Sequence, residues 1–365
     1  MPLNPKVYQF LVSIFASVGS ILYGYDLGVI AGAIASPDFK SRFNPSTSES
    51  GAVVSVFTGG AFFGTAVAGP LGDILGRRLT IFTGAAIFYA GRVIAGLGVG
   101  FLVMIIPLYQ AEIAHPSIRG SVTALQQFML GIGALVASWT TYGCNRNFPD
   151  DSSRQWRVSL GIQIVPAGVL AMLIMLFPES PRWLIDHGKA DEGFRTLAKL
   201  HAHGDEQDSW VQAEFNQIRD QISFEHENEA KSYVELFTNR SSFRRLLLAT
   251  AIQASVQMTG VSAIQYYSPV IFSQIGISTD NTLKYQGISP PASRSSTELD
   301  VAGPMIGGNL ANCLFFTIAT IMLAVFPPGS TSNPSASWAF IVVTWLYNIS
   351  FSATNGPLSY EFGCI

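Results

Sequence analysis

Residues 69–78 read Gly-Pro-Leu-Gly-Asp-Ile-Leu-Gly-Arg-Arg, a glycine-rich turn with one carboxylate and two arginines, set between long apolar runs. The run before it is Gly51–Gly72 and the run after it is Leu79–Tyr109. A basic pair at a tight turn between apolar helices anchors that turn to the cytosolic face of a bilayer. Asp73, lying inside the turn, also permits a charged clasp between neighbouring helix ends. Both readings need a membrane around the flanking segments.

Composition agrees. The 365 residues are 48% hydrophobic and only 12% charged, with 34 glycines. Soluble domains carry about a quarter charged residues, whereas small residues let helices approach closely in lipid. Mean hydropathy is +0.34. A net charge of −3 does not point to nucleic acid or to an acidic partner. Cys144, Cys313 and Cys364 are far apart, with no CxxC pair and no nearby histidine cluster, so they read as apolar filler. No metal or cofactor site and no catalytic constellation emerges, which argues against an enzyme.

A helix needs roughly 20 mostly apolar residues to cross hydrocarbon. Candidate spans are Val7–Ala35, Gly51–Gly72, Leu79–Tyr109, Ser121–Tyr142, Val158–Phe177, Leu246–Ile275, Met305–Phe326 and Ser337–Thr354. Val7–Ala35 is too long for a signal peptide and lacks a strongly basic start, so it reads as a retained first span. Ser180–Arg245 is different: it is charged, with helical apolar spacing at Phe194, Leu197, Leu200 and at Trp210, Phe215, Ile218. This divides the chain into an N-terminal membrane half (1–179), an amphipathic helical linker (180–245) and a shorter C-terminal membrane half (246–365). Arginines and lysines gather in the loops at Arg77–Arg78 and Arg119 and in the linker, which assigns those loops to the cytosol.

Four further segments narrow the reading. They are Arg92-Val-Ile-Ala-Gly-Leu-Gly-Val-Gly100 leading into Pro107-Leu-Tyr-Gln-Ala-Glu112, His115-Pro-Ser-Ile-Arg-Gly120, Pro178-Glu-Ser-Pro-Arg-Trp-Leu184, and Gln257-Met-Thr-Gly-Val-Ser-Ala-Ile-Gln-Tyr-Tyr-Ser-Pro269. With Gly69–Arg78, and in this order, they resemble the signature segments of the sugar porters of the major facilitator superfamily, of fungal type. The resemblance covers most of residues 20–275. It implies an all-α integral membrane protein with the major facilitator fold, two helical halves that rock about a site near the bilayer midplane.

The resemblance also implies roles. Asp26, in Tyr23-Gly-Tyr-Asp-Leu-Gly28, matches the protonation site of proton-coupled relatives, and Arg92 matches the arginine that responds to it. An ionisable residue inside a span is a functional candidate by default, and the competing reading is a structural ion pair that locks helices. Gln127 matches a glutamine that hydrogen-bonds sugar hydroxyls, since an amide both donates and accepts; an interhelical bond is the alternative. Gln126 is expected on a different face. Gln257, Tyr266 and Tyr267 belong to the span that supplies most sugar contacts in the family. Val256 and Ser262 stand where a glutamine and an asparagine are common, so Ser262 would reach less far. Asp73, Arg77, Arg78, Glu112, Arg119, Glu179 and Arg182 are expected to form one cytosolic clasp, and ordinary positive-inside anchoring is the alternative for each.

The chain departs from the complete family pattern in three places, leaving about eight recognisable spans against roughly twelve. Leu79–Ile106 is about 42 Å long as a helix, which suits one tilted crossing with the third and fourth spans fused. A single crossing would put the Arg77 and Arg119 loops on opposite sides, a topological conflict. Asn281–Pro304, with Ser289-Pro-Pro-Ala-Ser-Arg-Ser-Ser, replaces an eighth span. Asn355-Gly-Pro-Leu-Ser359 begins a tenth span shortly before Ile365. A misassembled gene model, a splice variant or a degraded gene would each produce this pattern.

The expected activity is transport of a monosaccharide, hexose or pentose, across the plasma membrane by a multi-pass protein, with a proton as a candidate co-substrate and the bilayer as its surroundings. The alternative is a non-transporting fragment or sensor-like protein derived from a sugar porter. Little or no transport is expected from the chain as written.

Overall fold

In hydrocarbon the backbone has no water to bond, and a helix satisfies its own groups. The computed structural model, which describes residues 5–87, 92–227, 235–261, 264, 302–325 and 334–354, is helical, with no strand among the described residues. The N-terminal group comprises α1 (Pro5–Ala16), α2 (Val18–Ala35), α3 (Pro37–Phe43), α4 (Thr47–Leu75), α5 (Arg77–Ile87), α6 (Arg92–Ile113), α7 (Arg119–Asn147), α8 (Arg154–Ile162) and α9 (Ile164–Ile174). The linker carries α10 (Pro181–Asp186), α11 (Ala190–His201), α12 (Ser209–Glu227) and α13 (Glu235–Thr238). Then follow α14 (Arg240–Met258), α15 (Ala302–Val325) and α16 (Pro334–Ala353).

Among the described residues, five stretches are long and apolar enough to cross a membrane: Val7–Ala35, Ser48–Leu75, Ala95–Ile113, Arg154–Ile174 and Ile306–Val325, with Trp338–Ala353 a shorter apolar helix. Local chemistry sets the helix ends. Ser46 caps α4 reciprocally with Glu49: its Oγ accepts the Glu49 N–H at 3.2 Å, and its own N–H donates to Glu49 Oε2 at 2.7 Å. The first span is interrupted at Ser17, whose hydroxyl donates back to the Ser13 carbonyl at 2.7 Å. Gln110 of α6 meets that interruption, donating from Nε2 to the Ser13 carbonyl (2.9 Å) and to Ser17 Oγ (2.7 Å).

Glycine decides which spans touch. Any side chain on Gly24 would collide with the Leu130 carbonyl, and one on Gly133 with that of Ile21, so α2 and α7 pack backbone to backbone. Gly64 and Gly100 bring α4 against α6 in the same way. The core of this group is formed by Leu22, Phe57, Leu102, Ile105, Ile106 and Tyr109, all at most 1% exposed.

The expected single crossing over Leu79–Tyr109 is not what forms. α5 and α6 lie side by side and antiparallel: Gly84 faces Gly98, Phe101 and Leu102, and Arg77 at the start of α5 reaches Glu112 near the end of α6. The described part of α5 is about 16 Å long, whereas α6 at about 33 Å is long enough to cross the hydrocarbon. The Arg77 turn and the chain after Glu112 therefore share one end of the bundle, and the topological conflict disappears. Gly84 opposite Gly98 removes the side-chain bulk that would keep a short arm from lying on a long one.

In the linker, Phe194, Leu197, Trp210, Phe215 and Ile218 pack with Ala198 and Val211 into a small core of their own. The C-terminal helices hold together through Val256, Val261, Phe315, Tyr347 and Phe351, and the Tyr347 hydroxyl donates to the Thr259 carbonyl at 2.9 Å. Among the described residues, the more extensive helix contacts lie within the N-terminal group with α10, α11 and α12, or within the C-terminal helices with α13.

Candidate functional site

Two constellations stand out: a charged clasp at the basic end of the bundle, and an open cleft between α2, α6 and α7.

The clasp is built around the turn joining α4 to α5. Gly76 makes that turn at φ +87°, in the left-handed region, and a Cβ there would lie 2.6 Å from Glu179 Oε2. Glycine is thus required twice over, for the turn and for the carboxylate beside it. Glu179, arriving from beyond α9, caps the free N–H groups at the start of α5. It accepts from Arg77 N at 3.1 Å and from Arg78 N at 3.2 Å, and from its own neighbour Ser180 N at 2.9 Å. A carboxylate at a helix N-terminus is the favourable pairing for the helix dipole. Burial pushes the Glu179 carboxyl above its usual range, although these N–H donors pull the other way.

Arg77 runs from the same turn into the protein and is only 7% exposed. Its guanidinium forks onto Glu112, with Nη2 to Oε1 at 2.9 Å and Nε to Oε2 at 3.0 Å. Nη1 takes Asp73 Oδ1 at 3.0 Å and the Gly72 carbonyl at 2.6 Å. Burial works against this charge, but Glu112 and Asp73 outweigh it and hold Arg77 above its ordinary value. Arg78 Nη2 donates to the Met175 carbonyl at 2.8 Å, and Trp183 Nε1 donates to the Asp73 carbonyl at 2.6 Å. The α4–α5 turn is thereby tied to α6, to the end of α9 and to α10.

Five of the seven expected clasp residues meet here: Asp73, Arg77, Arg78, Glu112 and Glu179. Arg182 does not join them. Its Nη2 pairs with Glu225 Oε2 of α12 at 2.7 Å, so it holds the linker helices to one another instead. Arg119 opens α7, and its side chain lies outside the described residues.

The cleft is narrow, with a cavity volume of about 10 Å³, and is lined by Gly19, Ser20, Tyr23, Leu102, Val103, Gln126, Gln127 and Leu130. Beside it, Gly19 lets α2 close on α6, because a side chain there would run into Ile106. Gln127 borders it as expected from its place in the sequence. Gln126 does too, contrary to the expectation that it faces elsewhere. Consecutive helix residues are about 100° apart, and both can border a cleft that lies between two neighbouring helices. Ser20 and Tyr23 escaped the sequence reading. The signal available was the spacing of Ser20 and Tyr23, about one turn apart on the helix that carries Asp26.

Asp26 lies three residues beyond Tyr23 on α2 and is fully buried. Arg92 opens α6, with its side chain outside the described residues. Gln257 sits exposed in the last turn of α14 and does not line the cleft. Ser262, Tyr266 and Tyr267 lie outside the described residues. No group of histidine, cysteine and carboxylate side chains suited to a metal occurs among the described residues.

A family model described as "Sugar (and other) transporter" matches residues 12–91 and 85–289, two stretches that overlap where α5 gives way to α6. The MFS-type transporter criB of Aspergillus cristatus is 31% identical over 374 residues, covering 96% of this chain and 79% of that protein. The quinate permease of Emericella nidulans is 32% identical, covering 77% of this chain and 58% of its own length. High-affinity glucose transporter 1 of Candida albicans is 30% identical, with 76% and 54% covered. The chain thus spans little more than half of these last two relatives. The proton:xylose symporter XylE bound to 6-bromo-6-deoxy-D-glucose superposes with a TM-score of 0.79 at 21% identity, covering 98% of this chain and 82% of that one. At that identity the likeness concerns the fold, which is that of the major facilitator superfamily.

Proposed function

This chain belongs to the sugar (and other) transporter family, and from that premise we propose that it moves a monosaccharide, a hexose or a pentose, across the plasma membrane by alternating access. The observation that carries this reading is the cleft, which sets the amides of Gln126 and Gln127 beside Ser20 and Tyr23 against an apolar floor of Leu102, Val103 and Leu130. Polyols need paired donors and acceptors next to a surface that sheds water. In this reading residues 1–179 supply one wall of the site. Residues 246–365 supply the facing wall through Gln257, Ser262, Tyr266 and Tyr267, and 180–245 form the cytosolic linker.

Asp26 is the proposed proton site, with Arg92 as its partner. Support comes from its complete burial within a span, where a carboxylate is costly unless used. Asp73, Arg77, Arg78, Glu112 and Glu179 act as the cytosolic gate, joined by Arg119, while Arg182 braces the linker through Glu225. The quinate permease among the relatives favours a second substrate class, a cyclic polyol acid.

The test is uptake of labelled glucose, xylose and quinate in a transport-deficient host, with and without an uncoupler, paired with binding to the purified protein. Saturable uptake that the uncoupler and Asp26→Asn both abolish supports proton coupling. Saturable uptake that neither changes supports facilitated diffusion and removes Asp26 from the mechanism. Binding without uptake identifies a non-transporting descendant of a sugar porter. Neither binding nor uptake of any of the three refutes the reading.

A further inference from the structure

The cleft contains a polar atom with nothing to do. Gln126 is 6% exposed and its Oε1 is buried without a hydrogen-bond partner among the described residues. A buried carbonyl left unmet costs stability, whereas hydration or a bound donor removes that cost. Gly19, Leu102, Val103 and Leu130 bring only apolar surface or backbone to the lining, and none of the polar groups of Ser20, Tyr23 and Gln127 bonds this oxygen. Exchanging the amide ends would leave an unmet donor at the same spot, so the vacancy does not depend on which way the amide is drawn.

We propose that Gln126, alongside Gln127, is a specificity-determining residue whose buried amide end is reserved for a hydroxyl of the transported polyol. This rests on the transport reading above. Gln127 is half-buried at the cleft and has water as an alternative partner, whereas Gln126 is shielded from bulk water. A ligand that supplies the missing partner gains a bond that water did not already provide, and a ligand lacking that hydroxyl leaves the vacancy as it was. Discrimination between hydroxylated and deoxygenated sugars follows from this difference.

The experiment uses the full chain purified into lipid nanodiscs. It measures the affinity for D-glucose, D-xylose and quinate, then for the mono-deoxy analogues of whichever binds. It also measures the melting temperature without ligand. Gln126→Met keeps the length of the side chain and removes its polarity. Affinity for the hydroxylated ligand is expected to fall roughly tenfold. One deoxy analogue, weaker on the parent protein, should bind the variant as well as the parent sugar does, a coupling that a structural role would not produce. The unliganded melting temperature should stay level or rise, because an unmet polar group has been removed.

A lower unliganded melting temperature, or undiminished affinity, would overturn the assignment of Gln126 while leaving the transport reading intact. Failure of the parent protein to bind any polyol would overturn both. Should Gln126→Met not fold, Gln126→Asn, with a shorter reach, gives the same comparison through the deoxy analogues. Equal discrimination by that variant and the parent overturns the inference.

Discussion

Acidification from pH 7 to 5.5 should loosen the linker helices from the membrane bundle. The contact to watch is Gln9 of α1, whose amide meets two parts of the chain. Its Oε1 accepts the His115 N–H at 3.0 Å, so its Nε2 hydrogens serve the Leu200 carbonyl at 2.7 Å and His201 Nδ1 at 3.0 Å. His201 Nδ1 must therefore be an acceptor, which leaves the ring neutral with its proton on Nε2. Protonating Nδ1 would set two donors against each other. The new charge would also lie beside His115, whose ring centroid is 5.7 Å away and which stacks with Trp210 at 4.5 Å. Burial, helped by His115, pushes His201 from 6.5 down to about 4.

The sign follows from which state binds the proton. With the linker detached, His201 recovers its ordinary value and binds a proton below 6.5, while the docked form does not until about pH 4. Docking is therefore most stable above pH 6.5 and weakens as pH falls through that window. The full shift corresponds to a ceiling of about 3 kcal/mol, and at pH 5.5 to about 1.4 kcal/mol, a factor of ten in the opening equilibrium. Hydrogen–deuterium exchange on the detergent-purified protein, corrected for intrinsic rates, reads this directly. Peptides from α11 and the start of α12 should open about tenfold more at pH 5.5, while α2 and α7 stay unchanged. His201→Gln should remove the pH response. Equal acid sensitivity in the variant and the parent protein would refute the reasoning.

Two further outcomes concern the clasp. Glu112→Gln leaves the buried Arg77 guanidinium without its forked carboxylate; because Asp73 and the Gly72 carbonyl remain, the loss should be about 3 kcal/mol, at the lower end for a broken buried pair. A melting temperature in detergent within a degree of the parent would count against that pairing. Gly76→Ala forces a side chain into φ +87° and towards Glu179 Oε2, costing at least about 1–2 kcal/mol. Adding Glu179→Ala should recover only the steric part, and full recovery in the double variant would show that the turn itself carries no strain.

Much of this protein is legible without coordinates, and the reason is local. Long apolar runs with few charges demand helices in lipid whatever their neighbours are. The ordered segments from Gly69–Arg78 to Gln257–Pro269 point to the family. The grouping of Glu112 and Glu179 with Arg77 and Asp73 is what the family resemblance implies, while the turn by itself sets only Asp73 beside the arginines. Spacing on a single helix fails where two packings satisfy the same run. Leu79–Tyr109 has the length for one tilted crossing, yet Gly84 against Gly98 makes an antiparallel pair of unequal arms the arrangement that forms. Arg182 reads as part of the clasp until Glu225, 43 residues away in sequence, claims it. Gln126 reads as facing away until α2 and α6 leave a gap wide enough for both glutamines to border. In each case the sequence by itself determined the kind of element and its chemistry, while the partner was decided by surfaces brought together from distant parts of the chain.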